Sequence, residues 1–523
     1  MVRHGLIGLA LSLCAALSVA ASDQYDVVIS GGRVVDPASG LDAVRNVGIR
    51  DDKIAIVSDA ALLGEVHIDA TGLVVAPGFI DMHAHGQNIL AGRVQALDGV
   101  TTALELEAGT LPISAYYNRA GEEGRPINYG ASVSWANARI AVFLDANPQA
   151  DIAWFFAAFN HTHWQTQIAS REQKAKILDY VQQGLDEGGL GIGILVGYAP
   201  GSGQKEFFDL HTMAAQNGVP TFTHARYLSM LEPASSFEGM AEIVAAAAGT
   251  GAHAHIVHLN SMSLRDIGII GPMIQKAQQA GLPITTEAYP YGAGATGIGG
   301  AMFRGDRWRE RLGGVDASNF DVGGKRLSEE EFRRLQAEAP ETETVIHFLE
   351  LDDPADRAFL DQSVLFEGGV IASDGGDWLV DGKRLPQETW PLPENAWSHP
   401  RSAGTYARFL RLYVREQQSV SLLEAIRRVS LGPAQILENA VPQMKNKGRL
   451  QAGMDADIVV FDIETVGEQS SFAKPAGLST GFEYVFVNGV PLVAGGELDP
   501  TLLPGRAVRN PVKEAALSES QGN

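Results

Sequence analysis

The pattern of apolar and polar positions divides the chain into two strand-rich ends and a long middle part. From Tyr25 to Val75, short runs of alternating residues are separated by glycine, proline and aspartate turns, which is typical of antiparallel strands. The same pattern returns after Leu450, in the runs that begin at Asp457 and Tyr484. We therefore predict one small β-sandwich domain that is built from both ends of the chain.

The middle part alternates strand and helix patterns. Its eight short apolar runs are Val74–Met82, Val100–Glu107, Ile127–Val133, Leu190–Val196, Pro220–Thr223, Ala254–Val257, Pro283–Glu287 and Val370–Ser373. This alternation predicts an α/β fold with parallel strands, and eight strands favour closure into a (β/α)8 barrel of the TIM type. About eighty residues separate the seventh run from the eighth, which is more than a connection needs, so we expect an inserted subdomain there.

These patterns predict an order of domains along the chain. We assign residues 76–435 to the barrel, with the insert at about 297–368, and residues 23–75 and 436–510 to the β-sandwich. Residues 511–523 form a polar tail for which we expect little order.

The first residues have the composition of an export signal. Arg3 precedes an apolar run from Leu6 to about Ala20, with small residues at positions that suit cleavage. The run is too short for an anchor, and Leu13 before Cys14 argues against lipid attachment. We predict a signal peptide over residues 1–22 and an exported protein, periplasmic or secreted, without a membrane anchor. It would contain no cysteine, because Cys14 is the only one.

The charge of the chain argues against two classes of partner. With 40 lysines and arginines against 62 acidic residues, the formal net charge is −22. Nucleic acids and anionic membranes both require basic patches, so neither is expected as a partner.

Two histidines end the first predicted barrel strand. His83 and His85 are two residues apart, so a strand directs both imidazoles to the same side. Two convergent neutral imidazoles suit a divalent ion, zinc above others, although a pair of structural histidines is the alternative.

Further polar residues fall at the carboxyl ends of predicted strands, where barrel active sites lie. Glu107 follows the second strand, His224 the fifth, His258 the sixth and Asp374 the eighth. Four histidines and two carboxylates suffice for two zinc ions, or for one ion and a carboxylate that transfers protons. We therefore predict a metal centre with the ligands His83, His85, Glu107, His224, His258 and Asp374.

Several motifs resemble the amidohydrolase superfamily: Pro77–His85, Ser373–Gly375 and the closing Gly448–Val459 segment. Within it, the chain is most similar to the N-acyl-D-amino-acid deacylases, also called D-aminoacylases, in Thr223–Arg226 and in the segments Glu287–Tyr291 and His399–Arg401. The resemblance covers nearly the whole mature chain. It implies a metal-dependent barrel joined to a small β-sandwich.

The resemblance also implies roles for single residues. His224 and His258 match the ligands of a tightly bound zinc, and His83, His85 and Asp374 match a second, weaker or vacant position. Asp374 would also shuttle the proton. A second group contacts substrate: Tyr289 would help to hold the scissile carbonyl, Arg401 would lie near the substrate carboxylate, and Arg226 would be a further basic residue.

The chain departs from D-aminoacylases in two places and from other amidohydrolases in a third. D-aminoacylases carry a metal-bridging cysteine after strand two, whereas Thr101–Gly109 contains no cysteine. We expect Glu107 to be the bridging ligand instead, with Glu105 as the alternative. An alignment without gaps would place Ala108 at the position of the cysteine. Asn260 stands where D-aminoacylases can carry a lysine near the substrate. The lysine that bridges metals in other amidohydrolases is also missing from the fourth strand.

Other conspicuous residues are interpreted as structural. His161 and His163 lie in an aromatic-rich connection that predicts a lid or a solvated loop. His253 and His255 are out of phase with His258, so we expect them to face helices. The glycine-rich segment 292–300 predicts a flexible pocket wall.

The predicted function is zinc-dependent hydrolysis of N-acyl-D-amino acids to a carboxylic acid and a D-amino acid. Zinc would polarise the amide carbonyl, and Asp374 would move the proton. The preference for D substrates comes from the resemblance alone. A cyclic-amide hydrolase or a dipeptidase is the alternative on the same barrel, and a non-catalytic periplasmic binding protein is the alternative outside enzymes.

Overall fold

The structure is a computed structural model and describes residues 24–513. The predicted signal peptide, with Cys14, and residues 514–523 of the predicted tail lie outside the described residues. Within residues 24–513, no helix combines the length and apolar character that crossing a membrane requires.

The elements follow one another in the order expected for an α/β chain with strand-rich ends. The strands are β1 Gln24–Asp36, β2 Leu41–Arg50, β3 Lys53–Ser58, β4 Leu63–Asp69, β5 Val74–Pro77, β6 Phe79–Asp81, β7 Val100–Thr110, β8 Asn128–Ser134, β9 Ile192–Leu195, β10 Thr221–His224, β11 Ala254–Ile256, β12 Ile284–Ala288, β13 Ala293–Gly297, β14 Phe320–Val322, β15 Lys325–Arg326, β16 Glu343–His347, β17 Val370–Ile371, β18 Leu379–Val380, β19 Lys383–Arg384, β20 Ile458–Phe461, β21 Phe482–Val487, β22 Val490–Ala494 and β23 Glu497–Leu498. The α-helices are α1 Ile89–Ala96, α2 Ile113–Glu123, α3 Trp135–Leu144, α4 Ile152–Ala157, α5 His163–Thr166, α6 Arg171–Asp186, α7 Gln204–Asn217, α8 Ser236–Thr250, α9 Leu259–Ser263, α10 Ile267–Gln279, α11 Trp308–Arg311, α12 Glu329–Glu338, α13 Pro354–Val364, α14 Arg401–Phe409, α15 Leu422–Ile426 and α16 Gly432–Leu437.

The two ends of the chain form one nine-stranded sheet. Its order is β23-β22-β21-β20-β5-β1-β2-β3, with β4 paired to β1. The two ends join where β20 runs antiparallel to β5, with Val459 opposite Ala76. Buried aliphatic residues from both ends, such as Ile29, Val47 and Ile458, share one core cluster. The β domain predicted from both termini is confirmed.

The middle part is a nearly closed parallel barrel. Eight strands are hydrogen bonded in the order β17-β12-β11-β10-β9-β8-β7-β6, so each neighbours the next one along the chain. The last gap is bridged where the backbone N–H of Asp374 donates to the carbonyl of His83 at 2.7 Å. The predicted barrel fold is therefore confirmed, and its eight strands lie within or next to the eight apolar runs.

The first of these runs differs from the prediction, because Val74–Met82 is two strands rather than one. β5 joins the terminal sheet and β6 begins the barrel, and Gly78 stands between them. A Cβ atom at Gly78 would lie only 2.2 Å from Thr101 Oγ1, so a side chain does not fit where the chain passes from one sheet to the other. All residues of both strands are buried, which leaves no change in polarity to mark the boundary.

A small subdomain is inserted between β12 and β17, as predicted. It contains a four-stranded sheet in the order β13-β16-β14-β15. Its own core includes Phe303, Trp308, Phe320 and Phe332, whose rings are in mutual contact. Within the glycine-rich segment, Ala293–Gly297 form β13, a strand of this subdomain, and Gly294, Ala295 and Thr296 line a cavity, as a pocket wall would.

Candidate metal centre and adjoining cavity

Four predicted ligands meet at the carboxyl ends of the barrel strands. The Nε2 atoms of His83 and His85 are 3.2 Å apart, and they lie 3.4 and 3.3 Å from Asp374 Oδ1. The same two nitrogens lie 3.2 and 3.5 Å from Glu107 Oε2. Ligand atoms about 2.0–2.1 Å from a tetrahedral zinc ion are about 3.4 Å from one another. His83, His85 and Asp374 therefore have the spacing of one coordination shell, and Glu107 Oε2 lies next to both imidazoles.

The second oxygen of Glu107 faces the remaining two histidines. Glu107 Oε1 lies 2.8 Å from His224 Nδ1 and 2.9 Å from His258 Nε2. One carboxylate therefore joins both groups of imidazoles, as a ligand shared by two ions would. Glu105 is elsewhere: its carboxylate lies beside Nδ1 of His85, at 2.8 Å. The geometry favours Glu107 over Glu105 as the shared ligand.

Two of these residues have unusual backbone conformations. His258 has φ +32° and Asp374 has φ +53°, in the left-handed region that residues other than glycine rarely adopt. Each residue lies just after a barrel strand, at the turn into the next segment. Such local strain persists where the surrounding structure fixes it, and it is common at functional sites. Here the turns direct both side chains towards Glu107 and His83.

Carboxylates behind the cluster orient the histidines of the first strand. Nδ1 of His83 lies 2.5 Å from Glu287 Oε1, and Nδ1 of His85 contacts Glu105. A carboxylate on Nδ1 fixes the ring and leaves Nε2 free to bind a metal. Glu287 was not predicted as a site residue. It lies at the end of the seventh barrel strand, and the same kind of position was the signal that identified the ligands on other strands.

The prediction for His255 is wrong. Its Nε2 lies 3.1 Å from Glu287 Oε2, so the imidazole faces the carboxylate that supports His83 rather than a helix. The reason is the register: His255 is paired with Thr285, which shares a strand face with Glu287. Nδ1 of His255 lies 2.8 Å from Thr285 Oγ1.

Charges within the cluster counteract the effect of burial on the pKa values of its residues. Burial disfavours the charged form of Glu107, but the charge on His83 and hydrogen bonds from His224 and His258 hold the pKa of Glu107 well below its usual value. Burial likewise opposes protonation of His83, while Asp374, Glu107 and Glu287 hold its pKa well above the usual value. The cluster is built to hold positive charge, as protons or as a cation.

The orienting role of Glu287 leads to a first prediction. We expect Glu287→Gln to weaken zinc binding at the position of His83, His85 and Asp374 by about 10- to 100-fold, because the imidazole of His83 loses its anchor. Zinc titration against a competing chelator measures the change. Glu242→Gln, which removes a carboxylate that pairs with Arg226 outside the cluster, is the matched control. Equal affinities of the two variants would contradict the role of Glu287.

A cavity opens from the cluster. Two parts of the chain supply its apolar wall: α4 contributes Phe155 and Phe156, and the inserted subdomain contributes Met302, Phe303, Leu312 and Ile346. His161 and His163, in the same connection as α4, are exposed and lie outside the groups that could hold a metal ion. Tyr198 also lines the cavity, with its ring 4.9 Å from that of His224.

Arg401 and Tyr289 lie beside the metal ligands. Nη2 of Arg401 donates to Asp374 Oδ1 at 2.8 Å, and the guanidinium stands 4.6 Å above the ring of Tyr289. Arg401 is only 2% exposed, yet its Nε and Nη1 have no hydrogen-bond partner. Burial raises the pKa of Tyr289 to about 12, so its phenol remains a hydrogen-bond donor. Although burial opposes ionisation, the charges of Arg401 and His83 hold the pKa of Asp374 below its usual value.

Arg226 is not brought into the cavity, which corrects the predicted contact with substrate. Its Nε and Nη2 each donate to Glu242 at 2.7 Å, and its Nη1 donates to the carbonyl groups of Pro200 and Ser202. With these donors engaged, the guanidinium holds a loop in place. The residues next to Arg226 in the sequence do not indicate this, because Glu242 lies on helix α8, sixteen positions further along the chain.

Asn260 also has a structural environment. Its Nδ2 donates to the carbonyl of Tyr291 at 3.2 Å, and its Oδ1 accepts from the backbone N–H of Tyr289 at 3.3 Å. Its side chain therefore fixes the backbone on either side of Pro290.

A further carboxyl group of the cavity was missed by the sequence reasoning. Glu343, the first residue of β16, lines the cavity. Burial and the nearby Asp377 raise its pKa to about 7. No pattern in the sequence indicates which residues of an inserted subdomain face a distant site.

Comparisons with known proteins agree with this architecture. Residues 66–363 match the amidohydrolase family. An N-acyl-D-glutamate deacylase of Alcaligenes xylosoxydans xylosoxydans is 27% identical over 95% of this chain and 99% of that protein. A D-aminoacylase of the same organism is 26% identical, over 91% of this chain and 96% of that protein.

Solved structures show the same fold. The structure of an N-acyl-D-glutamate deacylase from Bordetella bronchiseptica, in complex with zinc and a phosphonate inhibitor, superimposes with a TM-score of 0.71. It is 22% identical, and the match covers 93% of this chain and all of that one (100%). A D-aminoacylase structure gives a TM-score of 0.75 at 21% identity, with the same coverage.

Proposed function

The chain belongs to the amidohydrolase family and is a metal-dependent hydrolase, and from this premise we propose that it hydrolyses the amide bond of N-acyl-D-amino acids. The products are a carboxylic acid and a D-amino acid. The D preference rests on the similarity to deacylases of N-acyl-D-amino acids, since no contact of the described residues selects it.

Zinc is the metal that we propose for the cluster. Imidazole nitrogens and carboxylate oxygens are ligands that zinc accepts, and the spacing of His83, His85 and Asp374 suits three ligands of one zinc ion. Glu107, His224 and His258 would hold a second ion, because Glu107 has one oxygen for each group. When bound, zinc supplies polarisation of the amide carbonyl and activation of water.

The protein's own residues would then move the proton and position the substrate. Asp374 is kept ionised by Arg401, so its carboxylate can accept a proton from the attacking water and return it to the leaving nitrogen. The phenol of Tyr289 lies beside the same cavity and can donate to the oxygen of the scissile carbonyl. A donor of this kind contributes about 3–4 kcal/mol to the stability of the transition state.

The observation that carries the choice of substrate is the unpaired part of Arg401. A buried donor without a partner costs about 1–3 kcal/mol, and more when it is charged, so two such donors on one guanidinium call for an acceptor. A substrate carboxylate can accept a charge-assisted hydrogen bond from one of these donors. A scissile amide near the metal ligands and a carboxylate at Arg401 together describe an N-acyl amino acid.

A set of three substrates tests this proposal. We expect zinc-loaded enzyme to hydrolyse N-acetyl-D-leucine, and to hydrolyse N-acetyl-D-leucinamide about 100-fold more slowly or worse, because a site built for one polar group strongly rejects analogues that lack it. N-acetyl-L-leucine should also react more slowly, as the similarity to deacylases of N-acyl-D-amino acids implies. Chromatography of the released leucine or leucinamide measures each rate, with zinc quantified in the same sample.

Each contrary result removes a separate part of the proposal. Turnover of the L form at an equal rate, or of the L form alone, removes the D preference. Equal turnover of the leucinamide removes the role of Arg401. Faster opening of hydantoin or dihydropyrimidine rings than of open-chain amides would favour a cyclic-amide hydrolase.

A further inference from the structure

The cavity contains few positive charges that a substrate could use. Among the described residues that line it, Arg384 and Arg401 are the only arginines, and none is a lysine. Arg384 is already paired: its Nε lies 3.1 Å from Asp377 Oδ2 and its Nη1 lies 3.4 Å from Asp151 Oδ1. Of these two arginines, Arg401 is the one with buried donors, Nε and Nη1, that have no partner, and we assign it to the α-carboxylate.

Arg226 and Asn260 add no second anion site. Arg226 donates through Nε and Nη2 to Glu242, and both polar atoms of the Asn260 amide bind the main chain of Tyr289 and Tyr291. Neither residue lines the cavity.

Glu343 makes the cavity unfavourable for a second negative charge. Its carboxyl group lines the cavity, and none of the described residues forms a hydrogen bond or ion pair with it. Its Oε1 lies 3.6 Å from the place where a Cβ atom of Gly376 would stand, so it is next to the turn that follows Asp374. Asp377, in the same turn, also lines the cavity.

The rest of the wall favours apolar groups. Phe155 and Phe156 lie on one part of the lining, and Met302, Ile346 and Phe348 come from the inserted subdomain or its border. Apolar substrate groups gain free energy by leaving water for such a surface, whereas a carboxylate buried against it without a partner loses its hydration.

We propose that this enzyme selects N-acyl amino acids whose α-carboxylate is the only charge and whose side chain is apolar, and that Glu343 contributes to rejecting acidic side chains. This inference rests on the proposed function. It separates the protein from N-acyl-D-glutamate deacylase, which is among its relatives.

Substrates that differ only in charge test the inference. N-acetyl-D-glutamine and N-acetyl-D-glutamate have nearly the same shape, and N-acetyl-D-leucine adds an apolar side chain of similar size. At pH 8.5, where Glu343 is ionised, we expect kcat/KM to be highest for the leucine substrate. It should be about 100-fold higher for the glutamine than for the glutamate substrate, since the uncompensated charge is rejected.

A variant of Glu343 tests its part in the selection. Glu343→Gln is expected to raise kcat/KM for the glutamate substrate relative to the glutamine substrate by about 10-fold, because one like charge is removed. Glu341→Gln makes the same change at an exposed position two residues away and is expected to leave the ratio as it is.

The possible outcomes are distinct. Turnover of N-acetyl-D-glutamate that equals or exceeds that of the glutamine substrate overturns the inference and leaves the proposed function in place. If zinc-loaded enzyme hydrolyses none of the three substrates, both the inference and the proposed function are overturned. If the ratio of kcat/KM for the glutamate and glutamine substrates is unchanged in Glu343→Gln, Glu343 does not contribute to the selection. A tenfold change of this ratio in Glu343→Gln but not in Glu341→Gln supports the role of Glu343.

Discussion

Replacement of Asp374 by asparagine is expected to lower kcat by about 10³- to 10⁴-fold, near the upper end of what one acid–base group contributes. Asparagine keeps the shape and one oxygen but cannot accept a proton at neutral pH. Asp374 also faces His83 and His85, so zinc at that position should weaken, while the contacts of Glu107 with His224 and His258 should remain. Steady-state kinetics with N-acetyl-D-leucine and zinc analysis of the same sample measure both effects.

A remote buried aspartate provides the control for this experiment. Asp356 binds Arg265 through both oxygens, on α13 and away from the cavity. Asp356→Asn is expected to lower stability and to leave kcat at 25 °C nearly unchanged. If Asp374→Asn retains full activity, then the proton is moved by another group. A protein that binds zinc and substrate but shows no hydrolysis, before or after the change, would be the non-catalytic binding protein considered as an alternative.

Much of the fold was predictable because the burial of strands and helices determines the pattern of apolar residues in the sequence. In a barrel, each strand is covered by helices outside and by side chains inside, so it appears as a continuous apolar run; all eleven residues of β7 are buried. The division of Val74–Met82 was not predictable for the same reason. Both halves are equally buried, and only the close approach of Gly78 to Thr101 shows where one sheet ends.

The candidate ligands were predictable because a topological rule gives their place. Parallel strands bring their carboxyl ends to one rim, so residues as distant as His83 and Asp374 could be expected to meet. The hydrogen-bond partners of a side chain near this rim cannot be predicted from the local sequence pattern. Arg226 is engaged by Glu242, and Arg401 keeps free donors because Asp374 takes only one of its nitrogens.

The lining of the cavity was the least predictable feature. Glu343 and Ile346 reach the cavity from a subdomain whose orientation depends on its packing against the barrel. The contact between Tyr198 and Thr296, at 2.7 Å between hydroxyl oxygens, joins the insert to the loop after β9. Such a contact depends on two segments about a hundred residues apart, and neither has a distinctive sequence.

The second large effect is expected for Glu107→Gln, which should remove zinc from both positions and lower kcat/KM by about 10⁴-fold. Glu107 is the one described residue whose two oxygens face both groups of imidazoles. The amide of glutamine has only one oxygen, so its N–H donors face one of the two groups of imidazoles. It also lacks the negative charge that offsets the charge of the cation. Loss of the metal removes several kcal/mol of transition-state stabilisation, and each 1.36 kcal/mol is a factor of ten.

Glu105→Gln is the matched control for Glu107→Gln, since it makes the same change two residues away. Glu105 contacts only Nδ1 of His85, so its loss should weaken one zinc position by about 10- to 100-fold and leave the other intact. Zinc content after exhaustive dialysis, measured together with kcat/KM, distinguishes the two variants. The reverse order, with more zinc lost from Glu105→Gln than from Glu107→Gln, would make Glu105 the shared ligand. It would also require the strand that carries both residues to shift its register when metal binds.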